Sequence, residues 1–221
     1  MLERVVVLGT GTGVGKTWVT AALAQASAGS SLALKPIESG CERGQPAADA
    51  ALLAEAARSP YAPPLYAFEP PVAPWAAATQ AGQTIDLQAV IRWVGGHERQ
   101  ALRDTTRHVT HSLIESAGGL FSPLSASATN YELAQALEPC IWVLVAPNRL
   151  GVLHDVTSAL LAMRQRGSRE ALVVLNACGP EDASCADNAA LLGQLHAGVE
   201  FFSVARDDRD DVARLYQRLR R

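Results

Sequence analysis

The stretch Gly9–Thr17, GTGTGVGKT, is the feature that most restricts the fold of this 221-residue chain. It follows the apolar run Val5–Leu8, which has the composition of a buried β-strand, and it leads into a helix-like stretch that begins at Lys16. Closely spaced glycines let successive backbone N–H groups turn toward one anion, and the following helix adds its positive N-terminal end. The stretch therefore predicts a strand, a phosphate-binding loop and a helix in direct succession.

The spacing of this loop departs from the common phosphate-loop template. The template G-x-x-x-x-G-K-[ST], counted back from Gly15, places a threonine at its first glycine, whereas counting from Gly9 gives a loop one residue longer. The dinucleotide motif G-x-G-x-x-G fails in both registers, because its third glycine falls on Val14 or on Lys16. A glycine-rich turn without a ligand is the remaining alternative. In a phosphate loop, Lys16 reaches the β- and γ-phosphates and Thr17 offers its hydroxyl to Mg²⁺.

Short apolar runs alternate with helix-like stretches along the chain, which is typical of a parallel sheet covered by helices. We expect an α/β fold of the P-loop NTPase type, with a doubly wound, mostly parallel sheet flanked by helices, as a single domain over residues 1–221. The predicted strands are Arg4–Gly9, Leu32–Pro36, His108–Glu115, Ile141–Pro147, Ala171–Asn176 and Glu200–Val204. The predicted helices are Lys16–Ala28, Ala47–Arg58, Leu87–Arg103, Asn130–Leu137, Val152–Arg166, Ala186–His196 and Arg209–Arg220.

The segment Ser59–Trp75 interrupts this alternation. It contains six of the twelve prolines, which exclude a central strand or an uninterrupted helix, so we expect a long ordered surface loop. Its aromatic residues either pin the loop to the body or line a cleft, and we favour pinning. These residues are Tyr61, Tyr66, Phe68 and Trp75.

Composition argues against several classes of protein. The net charge is -3 with both signs interspersed, so we expect no basic face for nucleic acid, and no apolar run reaches the ~20 residues of a membrane span. The N-terminus has no basic start or cleavage site, so we expect no signal peptide. The four cysteines have no metal-ligand spacing, and we expect a reduced cytoplasmic protein.

Polar residues end three of the predicted strands, at the sheet edge where ligands bind in such folds. Glu115 precedes the flexible sequence SAGG, and Asp49 lies near the start of the helix after the second strand, so both are candidate Mg²⁺ ligands. Lys35 ends the second strand and is a candidate for stabilising a transferring phosphoryl group, although its ammonium could instead simply reach solvent. Asn176 carries an amide suited to a purine edge, but asparagine also commonly ends strands.

Several of these motifs occur in the order seen in a known enzyme family. The loop, the stretch KPIESG, Asp49, YAFEPPVAPWAAA, ESAGG, the Gly151 region and Asn176 make the chain resemble the dethiobiotin synthetases over nearly its whole length. That family's phosphate loop has the longer spacing. Cobyrinate and partitioning ATPases share the wider fold, but the partitioning branch has a second lysine where this chain has Gly11.

The resemblance implies a homodimer that binds MgATP, carboxylates 7,8-diaminopelargonate with CO2, phosphorylates the carbamate and closes a ureido ring. It assigns roles by position. Lys16, Lys35 and Thr12 would be catalytic, and Thr17, Asp49 and Glu115 would hold Mg²⁺. The nucleotide would be bound by Gly13, Val14, Gly15, Lys16, Thr17 and Asn176, the last at adenine. The substrate would contact Thr12, Lys35, Ser39, Ser116, Ala117, Gly118 and Gly119, and the partner subunit would supply the segment Leu150–His154, including Gly151 and Val152.

The chain also departs from the family pattern. Gly13 stands where many members have an acidic residue, Ser116 replaces the glycine of EGAGG, and His154 stands where asparagine is frequent. No tyrosine in residues 179–192 matches the one that can hold the substrate carboxylate, and residues 201–211 lack a proline that usually borders the adenine pocket. These departures leave two alternatives open: a nucleotide-dependent switch or binding protein without ligase activity, and a ligase on a related diamine.

Overall fold

In the computed structural model, which describes residues 2–168, 171–180, 182–205 and 209–220, one parallel sheet carries the glycine-rich loop at its centre. The strand order is β2-β5-β1-β6-β7-β8, and every neighbouring pair is parallel. The strands of this sheet are β1 (Glu3–Gly9), β2 (Ser31–Leu34), β5 (His111–Glu115), β6 (Ile141–Pro147), β7 (Leu172–Asn176) and β8 (Phe201–Val204). Two further strands, β3 (Ile37–Ser39) and β4 (Tyr66–Phe68), form a small parallel sheet of their own.

Helices cover both faces of the large sheet. The described helices are α1 (Lys16–Ala26), α2 (Ala48–Ala56), α3 (Pro74–Gln80), α4 (Leu87–Arg103), α5 (Asn130–Ala136), α6 (Val152–Gln165), α7 (Asn188–Leu195) and α8 (Arg209–Leu219). No helix in the described ranges is both long and apolar enough to span a membrane.

The alternation of side chains along β1 divides the core into two layers. Val5 and Val7 belong to a cluster that includes residues of α1, α2 and α8, whereas Val6 and Leu8 belong to a cluster that includes residues of α4, α5 and α6. All four are nearly or fully buried. A strand that is apolar on both faces is typical of a sheet covered on both sides, so the predicted doubly wound α/β fold is confirmed.

The predicted elements are all present, with ends that shift by a few residues. The strand predicted over His108–Glu115 begins at His111, and the helix predicted over Ala186–His196 runs from Asn188 to Leu195. The first helix ends two residues early at Ala26, and Ala28 beyond it takes a positive φ of 51°, which an α-helix cannot contain.

The prediction of a plain loop over Ser59–Trp75 was wrong in part. Strand β4 forms in its middle, and α3 begins at Pro74, where proline's fixed φ suits a first helical residue. Phe68 is 2% exposed and Tyr66 packs against the core, so these two rings pin the segment as expected. The rings of Tyr61 and Trp75 are exposed and do not pack into the core, although the Tyr61 hydroxyl accepts a hydrogen bond from the N–H of Ala47.

Strand register brings the predicted site residues to one sheet edge. Glu115, the last residue of β5, lies opposite Val7 of β1, and Leu34, the last residue of β2, lies opposite Ile114. Lys35 directly follows β2, so it leaves the sheet beside Glu115 and the end of β1. The carboxyl ends of three adjacent strands therefore meet where the glycine-rich loop begins.

Candidate active site

Backbone geometry explains two of the glycines in the loop. Gly13 and Gly15 have φ values of 73° and 88°, in the left-handed region that favours glycine. A Cβ on Gly15 would also lie 1.9 Å from Asn176 Nδ2, which donates a hydrogen bond of 3.1 Å to the carbonyl of Val14. Asn176, at the end of β7, therefore supports the loop from outside the cavity lining.

Lys16 begins α1 and folds back over the loop. Its Nζ donates a hydrogen bond of 3.1 Å to the carbonyl of Gly11, and the residue is 7% exposed. Burial lowers the pKa of Lys16 to about 8, with the negative charge of Glu115 opposing this shift and the ammonium of Lys35 adding to it. The group is thus a desolvated cation whose charge a phosphate would stabilise.

Lys35 lies at the centre of a charge cluster. Its Nζ lies 2.8 Å from Glu115 Oε1 and also donates to Asp49 Oδ2, while Thr17 Oγ1 donates to the same Glu115 oxygen at 2.8 Å. Burial lowers the pKa of Lys35, but the two carboxylates outweigh it and the pKa is raised overall. Lys35 therefore stays protonated, which the role of a cation requires.

The oxygen atoms of this cluster fit a magnesium ion. Thr17, Asp49 and Glu115 offer a hydroxyl and two carboxylates, and Glu115 Oε2 is buried without a hydrogen-bond partner among the described atoms. No group of three or more His, Cys, Asp or Glu side chains in the described ranges forms a complete metal cage. Mg²⁺ is commonly bound by one or two carboxylates together with substrate phosphates and water, so this donor set suits it.

These residues surround one cavity of about 320 Å³. The cavity is lined by Thr12, Gly13, Gly15, Lys16, Thr17, Lys35, Glu38, Ser39, Asp49, Glu115, Ala117 and Gly118. Apart from the segment Leu150–His154, four of the predicted residues do not line the cavity: Val14, whose side chain is buried within the loop, Asn176, which binds the Val14 carbonyl, Ser116 and Gly119. All the lining residues except Glu38 are among those named from the sequence, and the roles assigned to them stay predictions.

The sequence SAGG after β5 lies against the glycine-rich loop. Leu120 N donates to the carbonyl of Gly9 at 2.7 Å, and a Cβ on Gly119 would lie 3.2 Å from Gly11 Cα. Ser116 is 5% exposed, and its hydroxyl has no partner among the described atoms, so the side chain that replaces a glycine there is buried outside the cavity lining.

Two residues of the site were missed from the sequence. Asn130, 1% exposed, donates from Nδ2 to the carbonyls of Ala117 at 2.6 Å and Gly119 at 2.8 Å, and so holds the SAGG turn. Glu38 lines the cavity and binds the N-terminus of α2. The only local signal for Asn130 is the capping sequence around Thr129, which predicts a helix start and not this contact.

The segment Leu150–His154 lies outside the cavity. Gly151, with φ 96°, precedes α6, and Val152 is wholly buried. Leu150 is 74% exposed, and its N–H donates to Asp182 Oδ2 at 2.7 Å. The contribution of this segment to a partner's site stays a prediction, and the predicted adenine-pocket border over residues 201–211 lies partly outside the described residues, at 206–208.

Comparison with known proteins relates this chain to a family. A family model described as an AAA domain matches residues 3–207. The ATP-dependent dethiobiotin synthetase BioD of Anaeromyxobacter dehalogenans is 38% identical over 86% of this chain and 83% of its own length. The corresponding synthetases of Nitrosospira multiformis and Caulobacter vibrioides are 36% and 34% identical, over 85% and 89% of this chain and 81% and 88% of their own lengths.

Solved structures agree on the fold at much lower identity. HypB from Helicobacter pylori in complex with nickel superposes with a TM-score of 0.55 at 14% identity, over 99% of this chain and 85% of its own. The MinC:MinD cell division protein complex of Aquifex aeolicus gives a TM-score of 0.52 at 15% identity, over 96% of this chain and 86% of the other. These neighbours support the P-loop NTPase fold alone. The family model and the synthetases that are 34–38% identical identify the family as well as the fold: the chain belongs to the ATP-dependent dethiobiotin synthetase family.

Proposed function

We propose that this chain is an ATP-dependent cyclo-ligase that converts 7,8-diaminopelargonate and CO2 into dethiobiotin, with release of ADP and phosphate. The observation that carries the proposal is the convergence of Lys16, Lys35, Thr17, Asp49 and Glu115 on one cavity beside a phosphate-binding loop. The proposal includes a cytoplasmic location, because the reaction consumes ATP and the cytoplasm supplies ATP.

Binding of the nucleotide phosphates is the task of the loop and of Lys16. The left-handed glycines turn the backbone so that N–H groups can face a polyphosphate, and α1 adds its positive end. The Lys16 ammonium, which is desolvated at 7% exposure, provides a charge close to the terminal phosphates. Asn176 donates one amide hydrogen to the Val14 carbonyl, and its own carbonyl oxygen would accept a hydrogen bond from the adenine amino group.

A magnesium ion would be held by Thr17, Asp49 and Glu115, and when bound it would neutralise charge on the phosphate oxygens. Lys35 contacts both carboxylates of this set. These contacts support a role for Lys35 in stabilising the phosphoryl group as it is transferred to the carbamate.

The proposed reaction forms three bonds in order. One amine of the diamine adds to CO2 and loses a proton, which gives a carbamate. A carbamate oxygen attacks the γ-phosphorus and displaces ADP, which gives a carbamic–phosphoric anhydride. The second amine attacks the anhydride carbon, expels phosphate with the bridging oxygen and loses a proton, which closes the ureido ring. Lys35, Thr12 and Ser39 would bind the carbamate oxygens, while Ala117 and Gly118 would confine the two amines.

We further propose a homodimer in which the partner subunit's segment matching Leu150–His154 binds the substrate tail. Exposure of Leu150 and His154, in contrast to the buried Val152, supports this arrangement. The N–H groups at the start of α6, behind Gly151, would favour a carboxylate.

The test is an assay of ADP release with the diamine and bicarbonate added separately and together. We expect release only with both, and its loss in Lys16→Ala, because the phosphate charge is then unpaired. Arg103→Ala, which removes an exposed cation at the end of α4, is the matched control and should leave turnover unchanged. ADP release that ignores the diamine would contradict the proposal and favour a nucleotide-dependent switch.

A further inference from the structure

The N-terminus of α2 has no local side-chain cap. Its N-cap residue is Ala47, whose side chain has no oxygen to accept a hydrogen bond, so the first N–H groups of the helix need acceptors from elsewhere. The N–H of Ala47 donates to the hydroxyl of Tyr61 at 3.0 Å. The N–H groups of Asp49 and Ala50 donate to the two carboxylate oxygens of Glu38, each at 3.0 Å. A residue of β3 thus performs the capping that the helix itself lacks.

Both oxygens of Glu38 are engaged in a buried setting. Glu38 is 5% exposed and lies in β3 between Ile37 and Ser39. Both Glu38 and Ser39 line the cavity. A buried carboxylate is costly unless hydrogen bonds and positive charge compensate it, and the two N–H groups at a helix start supply both. The side chain is therefore fixed in one orientation, with α2 attached to it.

This contact controls the placement of Asp49. The Asp49 side chain is 41% exposed, so surrounding atoms alone do not fix it, yet its carboxylate reaches the buried Lys35. Glu38 accepts a hydrogen bond from the backbone N–H of Asp49, which connects Asp49 to β3. Strand β3 begins only two residues after Lys35. Glu38 thereby attaches the start of α2, and Asp49 with it, to β3 beside the sheet edge that carries Glu115.

We propose that Glu38 is a positioning residue that holds Asp49 where Mg²⁺ is bound. The inference rests on the proposed function, because it takes Asp49 as a metal ligand. Glu38 acts through the backbone of Asp49 and does not itself bind the ion. Partners that orient a metal ligand commonly change metal affinity by about 10- to 100-fold when they are removed.

The experiment measures Mn²⁺, as a probe for Mg²⁺, by electron paramagnetic resonance in the presence of ADP. We expect Glu38→Ala to raise the Mn²⁺ dissociation constant by about tenfold. Asp49→Asn, which changes the ligand itself, should weaken Mn²⁺ at least as much. Tyr61→Phe is the matched control, because it removes a hydrogen bond to the same helix start without contacting Asp49, and it should change the constant by less than about twofold.

A second variant separates positioning from helix stability. In Glu38→Ala/Ala47→Ser, the new serine can cap α2 from within, so the thermal midpoint should recover while Mn²⁺ affinity stays low. Full recovery of Mn²⁺ affinity in this double variant would overturn the proposal and leave Glu38 as a helix cap only. Unchanged Mn²⁺ affinity in Glu38→Ala, with Asp49→Asn impaired, would overturn it too. Absence of Mn²⁺ binding in the unaltered chain would overturn the metal site of the proposed function, and the role of Glu38 with it.

Discussion

The ammonium of Lys35 lies 2.8 Å from Oε1 of Glu115, a carboxylate that is wholly buried. The same oxygen accepts the hydroxyl of Thr17, which joins the glycine-rich loop to the ends of β2 and β5. A buried ion pair adds little net stability, because removing its charges from water is costly. Removal of one partner is strongly destabilising, because the other charge is then buried without compensation.

Replacement of Lys35 should therefore destabilise the chain as well as inactivate it. Lys35→Met leaves the Glu115 carboxylate buried without its cation, and we expect the free energy of unfolding to fall by about 3 kcal/mol. Urea denaturation measures this change. Arg103→Met, at an exposed position, should change it by less than about 0.5 kcal/mol. Equal urea midpoints for Lys35→Met and the unaltered chain would show that the pair is not formed in solution.

The sheet and the loop could be predicted because their signals are local. Apolar runs such as Val5–Leu8 and the glycine spacing up to Lys16 are properties of adjacent residues, and they specify a strand, a loop and a helix without reference to the rest of the chain. Strand ends then indicated Lys35 and Glu115, because parallel strands place their carboxyl ends at one edge.

The remaining parts of the site depend on contacts that no local pattern records. Glu38 accepts from N–H groups of α2 that are 11 and 12 positions away, and Asn130 binds carbonyls of a turn that are 13 and 11 positions away. Strand β4 forms within a proline-rich segment because β3 offers it a pairing edge, with Ser39 opposite Phe68. Such tertiary pairing overrides the local preference of the sequence.

A side chain at Gly119 should displace the phosphate loop, because the SAGG turn packs closely against the backbone of that loop. A Cβ there would lie 3.2 Å from Gly11 Cα and 3.4 Å from the carbonyl oxygen of Thr10, both backbone atoms. We expect Gly119→Ala to weaken ADP binding at least about tenfold, measured by calorimetry, since the loop must shift. Gly96→Ala, in α4 with no atom within 4 Å of the new Cβ, should keep ADP affinity and stabilise the chain by about 0.5–1 kcal/mol. Normal ADP affinity in Gly119→Ala would refute the contact.

Asn176 should affect both the strength and the selectivity of nucleotide binding. One amide hydrogen supports Val14, so Asn176→Ala leaves a carbonyl unpaired beneath the loop and should weaken all nucleotides. If its oxygen also binds adenine, the preference for ADP over GDP should fall toward one. Dissociation constants of both nucleotides decide this, and a lower affinity with an unchanged ratio would restrict Asn176 to support of the loop.

Asp182 should stabilise the chain in a pH-dependent way. Hydrogen bonds from the Ser184 hydroxyl, and next from Leu150 N, lower the pKa of Asp182 to about 2 from its ordinary 3.8. Because the unfolded chain binds the proton more readily, this stabilisation is complete above pH 3.8 and is lost as the pH falls through about 2. Thermal midpoints of Asp182→Asn and the unaltered chain should therefore differ at pH 6 and converge toward pH 2. The exposed Asp187→Asn is the control, and a gap independent of pH would contradict the hydrogen bonds that Asp182 accepts from Ser184 and Leu150.

The most direct test of the central claim follows the oxygen atoms of CO2. If a carbamate oxygen attacks the γ-phosphorus, phosphate released during turnover of ATP, 7,8-diaminopelargonate and freshly added ¹⁸O-labelled CO2 should carry one ¹⁸O atom for each dethiobiotin formed. Mass spectrometry of phosphate and dethiobiotin measures both. Phosphate that takes its new oxygen from water would mean that the chain hydrolyses ATP without activating a carbamate, and would contradict the proposed ligase.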